Sequence, residues 1–176
     1  MCGTGIKDVV ARSGAPIGSL YHYFPGGKSQ LVSEAVALHA AKIPRLIAEC
    51  FDGQRSAAAA VRMLFTRAAD GFERTGADKG CAIGAVALDL TPADSAAQAA
   101  CRDAFERWAA VLAARLPLPD ARARRSLATT IIVAIEGAFV LARAQRSGQP
   151  FRDAGRWMST LLESIDSGAA RPRKKP

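Results

Sequence analysis

Apolar residues recur at helical spacing along almost the whole chain, and no segment alternates strictly between apolar and polar positions. Gly14, the Pro-Gly-Gly break at 25–27 and Pro44 divide the first part into short helices. The pattern therefore predicts an all-α protein. After the two short N-terminal segments, helices are expected over about 28–42, 56–75, 80–90, 91–116, 120–146 and 151–167.

Residues 127–142 are apolar nearly all round and are interrupted only by two threonines, Glu136 and Gly137. A helix this apolar must be covered on more than one side, and a chain of this length has few elements left to cover it. A second copy of the chain is the natural partner, because homodimer interfaces resemble a protein core. A helix inside the chain's own core is the alternative. The candidate interface residues are Ile131, Ile135, Ala138, Leu141, Ala142, Trp157 and Leu161.

The most specific pattern is SGAPIGSLYHYFPGGKSQL, residues 13–31. Before it, Thr4–Arg12 predicts a short helix that Thr4 caps. After a tight turn at 13–15, a second short helix is expected over Pro16–Phe24. Two short helices joined by a glycine turn form the geometry that places the second helix in the major groove of DNA.

The chemistry of this second helix suits double-stranded DNA. Gly18 and Ser19 are small, so the helix backbone can approach base edges closely. Tyr21 and His22 carry groups that donate hydrogen bonds to phosphate oxygens. Lys28 opens the next helix, where backbone N–H groups already favour a phosphate.

The net charge of +8 is unevenly distributed. Residues 1–50 hold five Lys/Arg against three Asp/Glu, whereas RPRKKP at 171–176 alone contributes four positive charges. Such a basic, Pro-rich tail is expected to be disordered. A solvated tail is the expectation, with non-specific contact to phosphates as the alternative.

No other site is expected. The four cysteines, at positions 2, 50, 81 and 101, have no zinc-binding spacing and are expected to be free thiols. The sequence has no Ser/His/Asp arrangement, phosphate loop or metal spacing, so neither an enzyme nor a cofactor is expected. A signal peptide and an uninterrupted apolar run of ~18 residues are absent from it. A cytoplasmic protein without membrane contact is the expectation.

The GSLYHYFPGGKSQL segment resembles the signature of TetR/AcrR-type bacterial transcriptional regulators. FPGGK, the Ala-Pro that opens the second helix and GCAIGAVALD at 80–89 are similar to the LmrA/YxaF branch. The resemblance implies a homodimeric repressor that binds a palindromic operator and is released by a small lipophilic effector. It implies a DNA-binding region with a connecting helix at 1–43, a ligand-binding and dimerisation domain at 44–168, and a tail at 169–176.

Motif position assigns roles to single residues. The resemblance implies phosphate contacts for Thr4, Tyr21, His22 and Lys28, and base contacts for Pro16, Ile17, Gly18 and Ser19. Lys7 and Tyr23 complete the candidate DNA-binding set. A pocket for the effector is expected at Leu64, Phe65, Phe72, Phe105 and Trp108, although their helical spacing also suits an ordinary core.

The sequence departs from the family pattern at two places. Position 17 is Ile where many relatives carry Lys or Arg, so a contact with a thymine methyl group is expected there. Only Met1-Cys2-Gly3 precede the first short helix, whereas relatives have a further helix. Either the true start lies upstream or the DNA-binding head is loosened. A truncated ligand-binding and dimerising protein is therefore the alternative function.

Overall fold

The computed structural model describes residues 5–169, with side chains to residue 167, and within them every regular element is a helix. The all-α prediction is confirmed. Thr4 and all of the basic tail except Ala169 lie outside the described residues. The helices are α1 Ile6–Ser13, α2 Ile17–Tyr23, α3 Gly27–Ala40, α4 Ile43–Phe51, α5 Ala57–Arg74, α6 Ala82–Leu88, α7 Ser95–Ala113, α8 Ala121–Gln145 and α9 Gln149–Ala169.

The helices form two compact units. The first comprises the residues up to Lys42 together with Cys81–Glu106, and the second comprises Ile43–Gly80 together with the residues from Arg107 onward. The boundary between them falls within α7. The first unit is therefore built from two separate stretches of the chain. A division of the sequence at a single position does not separate the two units.

The first unit packs α1 against α2 and α3 against α6. Its core is built from small and medium apolar side chains, and α1 itself has no fully buried residue. The buried residues of this unit are Leu20, Val36, Ala40, Ile83, Ala97, Cys101 and Ala104.

The second unit is organised around the pairing of α5 with α9, and α8 packs against α9. Phe151 is fully buried, with its ring centroid 5.9 Å from Phe72 and 4.8 Å from Phe139. These three rings join α5, α8 and α9 in one aromatic cluster.

Several helix ends follow from local sequence. Ser56 and Asp120 cap α5 and α8 by accepting the backbone N–H groups of Ala59 and Ala123 at 3.2 Å and 2.7 Å. The predicted helix start at Thr91 is wrong. The Thr91 N–H and hydroxyl both donate to Asp94, which closes a turn instead of capping a helix, and α7 begins at Ser95.

Sequence reasoning also missed α4. Pro44 was expected to end or kink the preceding helix, but α3 ends at Ala40 and Pro44 occupies the first turn of a separate helix. A proline is tolerated there because the first N–H groups of a helix have no intrahelical partner.

Helix α8 keeps a broad apolar surface exposed. Val133, Val140 and Leu141 are 64%, 63% and 54% exposed. By length and composition alone α8 is apolar enough to cross a membrane, although no uninterrupted apolar run of that length exists. That criterion is weak evidence, because it averages over Glu136 and the threonines and is also met by apolar helices of soluble proteins.

Candidate nucleic-acid interface

The turn between α1 and α2 is fixed by backbone geometry. Gly14 has φ 68°, in the left-handed region that glycine adopts without steric cost, and its N–H donates to the Val10 carbonyl at 3.0 Å. Pro16 then holds an extended conformation and its carbonyl accepts the Ser19 N–H at 3.0 Å, which starts α2. At the other end of α1 the Asp8 carboxylate accepts the Gly5 N–H at 2.7 Å.

Helix α2 has one anchored side and one open side. Leu20 is 8% exposed and holds the helix to the first unit. Ile17, Tyr21 and Tyr23 are 49%, 52% and 71% exposed, which is unusual for large apolar and aromatic side chains. The remaining candidates on this helix and its N-cap are exposed or, for Ser19, partly exposed: Pro16, Gly18, Ser19 and His22.

The open side of α2 offers hydrogen-bond donors. The His22 and Tyr23 rings meet edge to face with centroids 5.1 Å apart, so the two side chains restrict each other's orientation. The Tyr21 and Tyr23 hydroxyls and the His22 imidazole lie on an accessible helix surface, where they can donate to phosphate oxygens. Sequence reasoning assigned these residues to DNA, and the structure places them together on one short helix.

Lys28 lies in the first turn of α3 and is partly buried. Gly26, the residue before α3, donates its N–H to the Gln30 side chain at 2.8 Å. This hydrogen bond fixes the N-terminal end of α3. The charge of Lys28 acts on Asp94, whose pKa is lowered first by the hydrogen bond from the Thr91 hydroxyl. Lys7 is exposed on α1.

The candidate pocket residues belong to two helices, α5 and α7. Leu64, Phe65 and Phe72 are buried on α5, with exposures of 5%, 0% and 2%. Phe65 packs against the backbone of α9, and Phe72 belongs to the aromatic cluster. On α7, the partly buried Phe105 falls in the first unit and the buried Trp108 in the second.

The candidate interface residues of α8 and α9 also separate into two groups. Ile131, Ala138 and Ala142 are buried within the chain itself, and Ile135 is partly buried. Leu141, Trp157 and Leu161 are 54%, 69% and 42% exposed. Val133 and Val140, which are not in the candidate set, are also exposed, and their helical spacing from Gly137 and Leu141 places them on one face of α8.

Among the described residues, no three His, Cys, Asp or Glu side chains are grouped so that they could hold a metal ion.

Two short helices with an open second helix, together with the further helices of the chain, form the fold of a helix-turn-helix protein. The fold agrees with solved structures of such proteins. Regulatory protein TetR from Rhodobacter sphaeroides has a TM-score of 0.76 at 23% identity, covering 89% of this chain and 87% of its own. A TetR transcriptional regulator from Chloroflexus aurantiacus has a TM-score of 0.74 at 24% identity, covering 92% and 84%.

Sequence comparison narrows the class to one branch. The family model for the C-terminal domain of LmrA/YxaF-like transcriptional regulators matches residues 57–157. The HTH-type transcriptional regulator LmrA of Bacillus subtilis is 30% identical over 163 residues, covering 92% of this chain and 87% of LmrA. The uncharacterized regulator YxaF of the same organism is 31% identical over 150 residues, covering 84% and 78%. The chain belongs to the TetR family of transcriptional regulators, LmrA/YxaF-like, and is not an enzyme.

Proposed function

We propose that this regulator is a cytoplasmic repressor that binds a palindromic operator as a homodimer and is released by a small lipophilic effector. The observation that carries operator binding is the open side of α2, where Ile17, Tyr21 and Tyr23 are exposed while Leu20 anchors the helix. A short helix held at one side and open at the other is what insertion into a major groove requires.

The contacts divide into positioning and reading. Tyr21, His22 and Lys28 donate to phosphates and set the register of α2 on the duplex. Ile17 and Gly18 open α2 and face base edges, since the N-terminal residues of a recognition helix enter the groove most deeply. Ile17 carries no hydrogen-bonding group on its side chain, so the contact available to it is apolar. In the major groove the apolar group is the thymine methyl.

The homodimer is supported by an exposed apolar face on α8 and α9. We call Val133, Val140, Leu141, Trp157 and Leu161 the dimer face. Their exposures run from 42% to 69% although they lie on packed helices. Exposed apolar side chains on two helices that pack together favour an interaction surface. A second copy suits it because one two-fold interface pairs the same face of both chains and presents two copies of α2 to a palindrome.

Effector binding is assigned to the second unit. Its interior is lined almost entirely by apolar side chains, with Ser159 the buried polar residue among those described. Such a lining favours an apolar ligand with few polar groups. Half-sites one turn apart require the two recognition helices to be ~34–36 Å apart. An effector that changes this separation by a few ångströms releases the operator.

The test is binding of the full chain to DNA from its own upstream region, measured by fluorescence anisotropy and located by footprinting. We expect a protected sequence with two-fold symmetry and a stoichiometry of two chains per site. A protected site without symmetry, or one chain per site, would contradict the palindromic homodimer. Lipophilic compounds added to the preformed complex should release the DNA in a saturable manner. If none does, the effector part of the proposal fails and the DNA-binding part stands.

One observation favours the alternative, a ligand-binding and dimerising protein with impaired DNA binding. Helix α1 has no fully buried residue, and Ile6, Val9 and Val10 remain partly exposed. Full burial of an apolar side chain stabilises by about 1.5–3 kcal/mol, and each of these partly exposed residues forgoes part of that. Hydrogen exchange of the α1 and α2 amides distinguishes the two functions, since a competent head protects both helices and an impaired head protects neither.

A further inference from the structure

Two turns of the second unit are joined at the C-terminal end of α5. One is the turn between α8 and α9, at 146–148, and the other is the connection at 75–80 that follows α5. Arg146 joins the two turns by binding Asp78, and Glu73 on α5 holds the second turn by binding the Gly148 N–H and Arg152. We call Glu73, Asp78, Arg146 and Arg152 the turn clamp. None of these residues belongs to the DNA contacts or to the dimer face described above.

Glu73 forms the stronger half of the turn clamp. Its Oε1 accepts the Gly148 N–H at 3.0 Å and Arg152 Nη1 at 2.8 Å, while its Oε2 accepts Arg152 Nη2 at 2.8 Å. This is the paired geometry in which a guanidinium and a carboxylate bind most strongly. The hydrogen bond from Arg152, followed by that from the Gly148 N–H, lowers the pKa of Glu73 to about 2.

Only glycine leaves room for this arrangement. A Cβ added at Gly148 would stand 2.5 Å from Glu73 Oε1 and 2.8 Å from Arg152 Nη1. The α8–α9 turn therefore lies directly against the Glu73 and Arg152 side chains, which would have to shift to admit a Cβ at position 148.

Arg146 forms the second half. Its Nη1 donates to Asp78 Oδ1 at 3.1 Å and its Nη2 donates to the Gly76 carbonyl at 3.3 Å. Ala77, between these two partners, has φ 60°, a conformation that side-chain-bearing residues adopt at a cost. The ion pair alone contributes little because Arg146 and Asp78 are 68% and 69% exposed. The two hydrogen bonds from Arg146 matter because they hold the residues on either side of Ala77, whose backbone is strained.

The turn clamp stands where the chain leaves the second unit. Gly80 ends the first segment of that unit, and Cys81 begins the segment that returns to the unit containing α2. On its other side the clamp holds the turn that joins α8 to α9, the two helices that carry the dimer face.

We propose that Arg146 is a positioning residue that ties the strained connection at 75–80 to the α8–α9 turn, which Glu73 holds against α5, so that a shift of this turn is passed to the chain entering the DNA-binding unit. The inference rests on the proposed function for its consequence at the operator. The hydrogen bonds from which the inference is drawn do not depend on DNA binding.

Substitution of Arg146 tests the contacts of the turn clamp separately from their effect on operator binding. Arg146→Asn removes both donors, and asparagine tolerates the left-handed conformation that Arg146 adopts, with φ 51°. We expect amide exchange of residues 76–80 to accelerate by about fivefold or more. We also expect operator affinity to fall several-fold while the dimer dissociation constant stays unchanged. Arg143→Gln, on the same helix one turn earlier and outside the clamp, should change none of these.

The double variant A77G/R146N provides the decisive comparison. Glycine adopts the conformation of residue 77 without the steric cost, so the clamp is needed less. Exchange and operator affinity should return to within about twofold of A77G alone. Unchanged exchange in R146N, or equal losses from R146N in the wild-type and A77G backgrounds, would overturn the proposal. If the wild-type chain binds no operator, the proposed function fails, and the exchange data still decide the role of Arg146.

Discussion

Gly155 on α9 lies directly against Phe65 on α5. A Cβ added to Gly155 would stand 2.6 Å from the Phe65 Cβ, closer than side chains in packed proteins approach, and 3.1 Å from its Cγ, which is tighter than most such contacts. Phe65 is itself fully buried and cannot move aside into solvent. The closest approach of the two central helices of the second unit therefore depends on this glycine.

Gly155→Ala should destabilise the protein even though alanine favours helices. Overpacking a core of this kind costs about 1–3 kcal/mol, more than the ~1 kcal/mol gained from helix propensity. Thermal denaturation followed by circular dichroism measures the change. Gly71→Ala is the matched control on α5, since its Cβ would meet only Arg74 Nη2 at 3.7 Å. If Gly155→Ala were as stable as that control, the close approach would be wrong.

Lys28→Ala should weaken operator binding without loss of fold. The lysine neutralises a phosphate, so its removal should lower affinity similarly on all sequences and reduce the salt slope of binding by about 1 for each chain bound, which is about 2 for the homodimer. Anisotropy titrations at several salt concentrations provide both numbers. His39→Ala, an exposed residue at the opposite end of α3, is the control. An unchanged slope for Lys28→Ala would mean that this lysine makes no phosphate contact.

Ile17→Ala should change sequence preference more than overall affinity. If Ile17 packs on a thymine methyl group, replacing the operator thymines by uracil one at a time should weaken wild-type binding at one position in each half-site. The loss should be about 1 kcal/mol, the value of one buried methyl or methylene group. In the Ile17→Ala protein the same replacement should have little effect. Equal sensitivity of both proteins to uracil would exclude the methyl contact.

Trp157→Ser should convert dimers into monomers. Trp157 is the most exposed residue of the dimer face, and tryptophans in interfaces contribute about 2 kcal/mol or more on truncation. Sedimentation equilibrium gives the dissociation constant, expected to rise at least ~30-fold. Leu88→Ser is the control, because Leu88 is 83% exposed and lies on α6, outside the face. If the two variants associate equally well, the dimer is built on another surface.

Glu73→Gln should alter the pH dependence of stability in acid. A carboxyl group whose pKa is lowered on folding, here to about 2 from 4.5, stabilises the native state above the unfolded value. That stabilisation diminishes as the pH falls from 4.5 towards 2. The melting temperature of wild type should therefore exceed that of Glu73→Gln at pH 7 and converge with it near pH 2. A constant difference across this range would show that the carboxylate charge has no role in the contact.

Local chemistry explains where prediction from sequence succeeded. Asp120 and Ser56 stand at helix starts because their side chains reach N–H groups three residues ahead, a relation visible in the sequence. The segment at 13–31 likewise encodes its own turn through Gly14. The helix start predicted at Thr91 was wrong for a related reason. Asp94 lies three residues after Thr91, and its carboxylate accepts the Thr91 N–H and hydroxyl, so Thr91 does not cap a helix.

Contacts between distant residues escaped prediction. Glu73 and Gly148 are 75 positions apart, and nothing local to either marks the other as its partner. Likewise the apolar run of α8 contains both Ile131, which is fully buried, and Val133, which is 64% exposed. The run alone does not distinguish them, because which side faces the core is decided by how α8 meets α9.

Because the first unit is built from two separate stretches of the chain, it cannot be exchanged with that of a relative as one continuous segment. Within the first 42 residues, α3 carries the buried residues Val36 and Ala40 and packs against α6. Helix α6 comes after α4 and α5 in the sequence, and those two helices belong to the other unit. A chimaera that exchanges only the N-terminal segment with a relative would pair a foreign α3 with the resident α6. On the proposed function, operator specificity should therefore be transferable between relatives by changing the surface residues of α2, whereas exchange of the whole head would require residues 81–106 to move with it.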